Sequence, residues 1–350
     1  MNAADASASR TEPSPPDWSA PGAFEVAPGV HRIPLPLPDD GLRAVNIYAL
    51  ETADGLTLVD AGWSLAESRE LLLAGLAGIG AVLGDVRRFL VTHAHRDHYT
   101  QAVALRREVG AHISLGAGER ETVELLQRTE RGVLLGQAEH LRLLGASMLA
   151  DTITELMRGH QPDPAQWESP DTWLEPGPVP LPGGRVLEAV ETPGHTAGHV
   201  VFHDVAGGLL FAGDHVLPTI TPSIGFEAVL SANPLGAFLR SLAVVRARPD
   251  AVLLPAHGPV APSVHERVDE LVAHHGRRLD EAQVAVEGGA DTAHEVARCL
   301  RWTRRLHRVE DLDAFNAMLA VSETGAHLDL LVAQGRLRVE VTDGVRRYQV

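Results

Sequence analysis

The 350-residue chain contains no lysine, a single cysteine, Cys299, and only 4% aromatic residues. One cysteine cannot close an internal disulfide, which fits a reducing compartment, so a cytoplasmic setting is expected. No apolar run approaches the roughly 20 residues that cross a bilayer, so no membrane span is expected. Nor is there a basic excess: 46 acids face 30 basic residues, all arginine, for a formal net charge of −16. Such a chain repels polyanions unless a local basic patch overrules the total, which disfavours nucleic-acid binding. A G-x-S-x-G elbow is also missing, and no Ser-His-Asp nucleophile is needed. Residues 1–20, rich in Ala, Ser and Pro and without the apolar core of a secretory signal, read as a disordered tail.

What remains is of ordinary globular composition, 45% apolar, but rich in histidine, with 18. From Gly29 to Val59 the runs V-H-R-I-P-L-P, A-V-N-I-Y-A-L and L-T-L-V-D, parted by D-D-G and A-D-G turns, read as a strand meander. A helix is expected over Ser64–Gly80, a buried strand over 88–93 and a helix near Ala102–Val109. Residues 117–160 carry a helical pattern that reads as an inserted cap, closed by a Pro-rich stretch near 162–182. Strands resume in R-V-L-E-A-V-E-T, H-V-V-F-H-D and G-L-L-F-A-G-D, followed by a helix over Pro234–Ala247 and the run A-V-L-L-P-A-H-G. Two halves, each of strands followed by helices, predict an α/β protein with an αββα layer arrangement over residues 21–262. Helices are then expected at 263–286, 292–300, 311–320 and 322–334, before two strands around Asp343-Gly344, a hairpin signal. Residues 263–350 thus read as a small winged-helix-like domain.

The segment T-H-A-H-R-D-H places His93, His95, Asp97 and His98 within six residues directly after a buried strand. Residues two apart on an extended chain face the same way, so His93 and His95 can converge on one ion. Asp97 and His98 turn toward a second as the chain bends into a helix. Imidazoles with a carboxylate suit a borderline divalent metal such as zinc. Further candidates each end an apolar run: His195 in E-T-P-G-H-T-A-G-H, Asp214 in L-L-F-A-G-D-H and His257 in L-L-P-A-H-G-P.

In this order, H-x-H-x-D-H, T-P-G-H-T-x-G-H, G-D and a final H-G resemble the metallo-β-lactamase superfamily of metallohydrolases, over roughly residues 24–262. The resemblance implies His93, His95 and His195 on one metal, Asp97, His98 and His257 on the other, and Asp214 bridging both. Asp60, in L-V-D-A-G, resembles the family's first motif, a carboxylate that orients ligands rather than binding metal. The implied cofactors are two divalent ions, zinc foremost, with iron and manganese open. The C-terminal tail, with W-T-R-R-L and the run before the hairpin, is similar to the winged-helix domain of a glyoxalase-like and thioesterase-like branch.

Two such ions activate water for attack on a carbonyl or phosphorus centre, so hydrolysis is the expected reaction. Asp97 is the candidate to orient that water and pass a proton to the leaving group. True β-lactamases of the superfamily usually lack the bridging carboxylate seen here as Asp214, and diiron oxygen-reducing relatives carry Glu where this chain has His95. The leading expectation is therefore a binuclear zinc hydrolase of a small ester, thioester or lactone. A metal-dependent endoribonuclease or phosphodiesterase and a mononuclear iron persulfide dioxygenase stay open as alternatives, as does homo-oligomer formation through the C-terminal domain. Tyr99 is a candidate substrate contact, Leu134, Leu135, Leu143, Leu144, Met148 and Leu149 candidate walls of an acyl pocket, and Trp167 and Trp173 candidates for the cleft edge. His199 and His215 read as supporting residues.

Overall fold

The structure, a computed structural model, describes residues 17–38, 41–128, 132–158, 163–303 and 305–350, with side chains in 132–135 left aside. Most of the expected N-terminal tail, together with Leu134 and Leu135, lies outside the described residues and side chains. Strands β1 (Phe24–Ala27), β2 (Val30–Pro36), β3 (Ala44–Thr52) and β4 (Gly55–Val59) form an antiparallel meander. Helix α1 (Ala66–Gly78) then leads to β5 (Val86–Val91), and α2 (Arg96–Val109) to β6 (His112–Gly116), both strands parallel to β4. An excursion of three helices, α3 (Arg120–Arg128), α4 (Gly132–Leu143) and α5 (Ser147–Leu156), precedes β7 (Thr172–Leu174), which completes a sheet ordered as in the sequence. The second sheet takes β8 (Gly177–Pro180), β9 (Val186–Glu191), β10 (Val200–Asp204) and β11 (Leu209–Gly213), then, after α6 (Pro234–Arg246), β12 (Val252–Pro255) parallel to β11. Helices α7 (Val264–Glu287), α8 (Ala293–Cys299) and α9 (Ala314–Ala333) and the hairpin β13 (Arg338–Thr342) and β14 (Val345–Gln349) close the chain.

The alternation of side chains along each strand sets the layers. On β3, Tyr48 and Leu50 point inward to meet Phe202, Phe211 and Leu254 of the other sheet, while Val45, Ile47 and Ala49 point outward with Leu72 of α1 and Val103 of α2. On the second sheet, Phe202 and Phe211 point inward and Val201, Leu210 and Ala212 outward, under helices. Each sheet therefore buries both faces, giving the expected αββα sandwich.

The outer core of the second sheet is continuous with the helices that follow it in the sequence. Leu141 and Leu144 of the excursion, Phe238 of α6, Leu271 of α7, Leu328 and Leu331 of α9 and Tyr348 of β14 belong to one cluster with Leu210. Two sequence expectations change here. Helix α9 is one element where two were expected at 311–320 and 322–334; within it Gly325 is a close-packing position, where a Cβ would lie 3.0 Å from Leu144 Cδ2. Helix α2 begins at Arg96, earlier than Ala102, so Asp97 and His98 occupy its first turn. Of the expected pocket walls, Leu144 is fully buried in the shared core, Leu149 packs against that core and Met148 is 86% exposed. Among the described residues no helix is long and apolar enough to cross a membrane.

Leu144→Ala should cost about 2–5 kcal/mol through the cavity it leaves. Because excursion, second sheet and α9 share one core, thermal unfolding of the variant should remain a single transition at lower Tm; a separate early transition of the C-terminal helices would refute the shared core.

Candidate metal centre

The strand ends gather the polar residues that the sequence places after apolar runs. His93 and His95 follow β5, Asp97 and His98 open α2, His195 sits between β9 and β10, Asp214 follows β11 and His257 follows β12. Glycine makes the approach possible at Gly213, whose φ is +49° and whose Cβ would lie 2.7 Å from both His199 Nε2 and Thr92 Oγ1. Asp60, just beyond β4, is held in the left-handed region at φ 60°, tolerable for aspartate and typical of a position fixed by its surroundings.

Hydrogen bonds to carbonyls and carboxylates decide which nitrogen of each ring carries its proton. His98 Nδ1 donates to Asp60 Oδ2 at 2.9 Å, His195 Nδ1 to the Ser223 carbonyl at 2.8 Å and His257 Nδ1 to the Ala44 carbonyl at 2.8 Å. His95 Nε2 donates to the Phe226 carbonyl at 3.3 Å. Thr92 gives its hydroxyl proton to Asp60 Oδ1 at 3.0 Å and so accepts from His93 Nδ1, also at 3.0 Å. In all five rings the other nitrogen is then a lone pair turned inward. His93 Nε2, His98 Nε2, His257 Nε2 and Asp214 Oδ1 are buried there without a hydrogen-bond partner among the described residues. His195 Nε2 and His95 Nδ1 face each other at 3.1 Å. Two acceptors at that distance repel unless a cation or a proton lies between them.

The donors fall into two groups. Single ligand atoms of His93, His95, His195 and Asp214 lie within 4.8 Å of one another, as do those of Asp97, His98 and His257. Asp214 spans both: Oδ2 is 3.4 Å from His195 Nε2, and Oδ1 is 3.3 Å from His257 Nε2 and 3.7 Å from His98 Nε2. Asp97 Oδ2 is 3.5 Å from both His98 Nε2 and His257 Nε2. These residues fit a pair of divalent cations, with nitrogen and oxygen donors deprotonated and aimed at a common space.

The electrostatics divide the centre in two: His93, His95 and His195 are held neutral, while against burial the carboxylates around His98 and His257 raise both imidazoles and favour a positive charge there. Burial holds His93 well below its ordinary range and His95 down to about 3, so both are neutral donors. Burial also pulls on His98, but the carboxylates of Asp60, Asp97 and Asp214 outweigh it and push His98 up to about 10, a measure of the negative charge collected there. Burial works to raise Asp214, yet His257, His98 and His195 hold its carboxyl well below the usual range.

The residues around the centre take several distinct places. His199 Nδ1 donates to Thr192 Oγ1 at 2.8 Å and its Nε2 accepts the Asp214 amide at 3.1 Å, fixing the backbone of Asp214. Buried His215 packs edge-on against Phe238. Tyr99 is fully buried, donates to the Glu168 carbonyl at 2.5 Å and stacks on buried Trp167, so its hydroxyl is committed to the protein and the expected substrate contact falls away. Trp167 is accordingly a core residue rather than a cleft edge, and Trp173 lies under the guanidinium of Arg120. Sequence reasoning missed Glu119, which accepts a short hydrogen bond from Thr196 and the amides of Ala94 and Gly198. One buried carboxyl, raised by burial to about 7, thereby ties the loop of His93 and His95 to the loop of His195. Its signal was slight: a glutamate after the turn L-G-A-G, at the head of the polar stretch E-R-E-T.

The family described as "Metallo-beta-lactamase superfamily" matches residues 40–257. A probable metallo-hydrolase of Bacillus subtilis is 26% identical over 322 residues, 87% of this chain and 91% of that protein. An atrochrysone carboxyl ACP thioesterase of Paecilomyces divaricatus is 32% identical over 114 residues, 33% of this chain and 34% of that one. Among solved structures, a metallo-beta-lactamase family protein from Thermus thermophilus superposes with a TM-score of 0.76 at 28% identity, over 93% of this chain and 99% of that one. A beta-lactamase domain protein from Burkholderia ambifaria gives 0.73 at 28% identity, over 93% and 94%.

Asp60→Asn should leave the fold intact but lower metal affinity about 10–100-fold, because the group that orients His98 loses its charge. Metal content at a fixed free-ion concentration reads this out; an unchanged affinity would remove Asp60 from the centre.

Proposed function

Because this chain belongs to the metallo-beta-lactamase superfamily and is a metal-dependent hydrolase, we propose that it is a binuclear zinc enzyme acting on a small acyl substrate, a thioester foremost, with esters and lactones in the same class. The observation that carries this reading is the set of seven inward-facing donors, His93, His95, Asp97, His98, His195, Asp214 and His257, in two groups joined by Asp214. Three histidines with a shared carboxylate on one side, and two histidines with two carboxylates on the other, are donor sets suited to zinc. Bound there, two such cations supply Lewis-acid polarisation of a carbonyl and lower the pKa of a coordinated water toward neutrality.

The chain's own residues supply the remainder. Asp97 stands at the mouth of the centre, its side chain 14% exposed against 0% for His98, so it is a ligand that solvent and substrate can reach. It is the group to orient the attacking water and to hand its proton to the departing atom. A thiolate leaving group, with a thiol pKa near about 8.5, asks little of that acid. Beside His95 the rim is apolar: the Phe226 ring lies 5.8 Å from the imidazole and packs edge-on against Phe315, which is 39% exposed. An acyl chain suits such a surface. Arg96, exposed and between His95 and Asp97 in the sequence, lies 4.0 Å from the centre of the Trp63 ring, a cation that suits an acidic carrier or carboxylate. The thioesterase among the relatives favours the thioester within this class.

Purified protein assayed against acyl thioesters, aryl esters and lactones should turn over thioesters fastest, lose activity on chelation and regain it with zinc. Asp97→Asn should lower kcat by about 10²–10⁴ with the fold unchanged. Turnover indifferent to chelation would reject the metal-dependent reading, and a preference for phosphodiesters would reject the acyl class.

A further inference from the structure

A second histidine cluster lies between α7 and α9, outside the centre described above. His274 and His275 of α7 and Glu323 of α9 each place a ligand atom within 4.8 Å of the others. Hydrogen bonding fixes the proton on the deeper ring. His327 Nδ1 donates to the Glu323 carbonyl at 2.8 Å, which leaves His327 Nε2 as an acceptor. His275 Nδ1, 3.2 Å away, donates to it. His275 Nε2 must therefore be a lone pair, and it is buried with no partner among the described residues, on a side chain that is fully inaccessible. An unpaired acceptor in that position costs free energy unless something with a positive charge or a proton meets it.

We propose that His274, His275 and Glu323 form a third divalent-cation site, for zinc or an ion of similar softness, that clamps α7 to α9. Two imidazoles and one carboxylate are a borderline donor set, and three protein ligands leave a position for water. His327 plays the part of the group that orients a ligand by holding its other nitrogen. His274 also lines a cavity of about 330 Å³, together with Thr221, Arg267, Glu270, Leu271 and Arg277. The nearby cations are mostly spoken for. Arg278 bonds Glu281 at 2.9 Å and the Arg301 carbonyl at 3.3 Å and lies over Trp302, and Arg267 bonds the carbonyls of Leu217 and Ile220 and the Glu270 carboxylate. Arg277, exposed and lining the same cavity as His274, is a further cation that opposes the ion.

The site stands apart from the proposed acyl hydrolysis, so the two are separable by experiment. The full chain is equilibrated with Zn²⁺ at a buffered free concentration and its metal counted by mass spectrometry, alongside His275→Ala and Glu323→Gln. Each variant should hold one zinc fewer than the unaltered chain, with an unchanged circular dichroism spectrum. His257→Ala, which disturbs the other centre, should keep the zinc that His275→Ala loses. With Co²⁺ in place of Zn²⁺, the visible absorption of His257→Ala should fall further when Glu323→Gln is added. If His275→Ala perturbs the helix packing, Glu323→Gln, a half-buried and nearly isosteric change, decides alone. Equal zinc counts in Glu323→Gln and the unaltered chain overturn the site.

Discussion

Five imidazole lone pairs and two carboxylates turned toward one space are the constraint on which the rest of this molecule rests. Buried acceptors without donors are among the most costly arrangements a protein can hold. Here the cost is set by the fold itself, because each ring is pinned from behind. Asp60, Thr92, and the carbonyls of Ala44, Ser223 and Phe226 take the protons of the outer nitrogens and leave the inner ones bare. The 3.1 Å approach of His95 to His195 is the sharpest instance. Cations bound there would resolve these conflicts together, and loading the site would then favour the folded chain.

The sandwich explains how such a space is built. Pairing β4, β5 and β6 in parallel, and β11 with β12, brings several strand ends to one rim, where loops can leave the core without abandoning backbone hydrogen bonds. Tyr48 and Asn46 then bond the Pro255 carbonyl, Asn46 also taking the Gly258 carbonyl, and the Asn46 amide bonds the Ala256 carbonyl. The two sheets are thus stitched directly beside His257. Rigid supports of this kind hold ligands within the tolerance that metal chemistry requires.

Much of this was legible in the sequence for a physical reason. Histidine and aspartate directly after a strand of apolar residues are anomalous in themselves, and their spacing of two followed by a helical turn states where each side chain points. Period-two runs such as A-V-N-I-Y-A-L identified strands, while which face met which layer needed the second sheet. Glu119 escaped notice because its role depends on Gly118 and Gly198 touching across nearly eighty residues, a contact no local pattern encodes. Tyr99 misled for the converse reason. It adjoins a ligand in sequence, but on a helix the next residue points about 100° away, and here that direction leads into the core against Trp167. Helix α9 runs unbroken through the break expected near 321, and Gly325 within it serves the close approach of Leu144.

The helical C-terminal segment is tied to the metal centre more closely than the sequence suggested. The carbonyls that pin His195 and His95 belong to Ser223 and Phe226, in a loop with no regular structure of its own. That loop rests on α9: Gly225 approaches the Ser322 backbone so closely that a Cβ would lie 3.2 Å from its carbonyl oxygen, and Phe226 packs on Phe315. Helix α9 in turn is buried against the second sheet and the helical excursion. The orientation of two ligands therefore passes through a loop to a helix about a hundred residues further along the chain. A segment that reads from sequence as an appended domain is, by this route, part of the scaffold that aims the imidazoles.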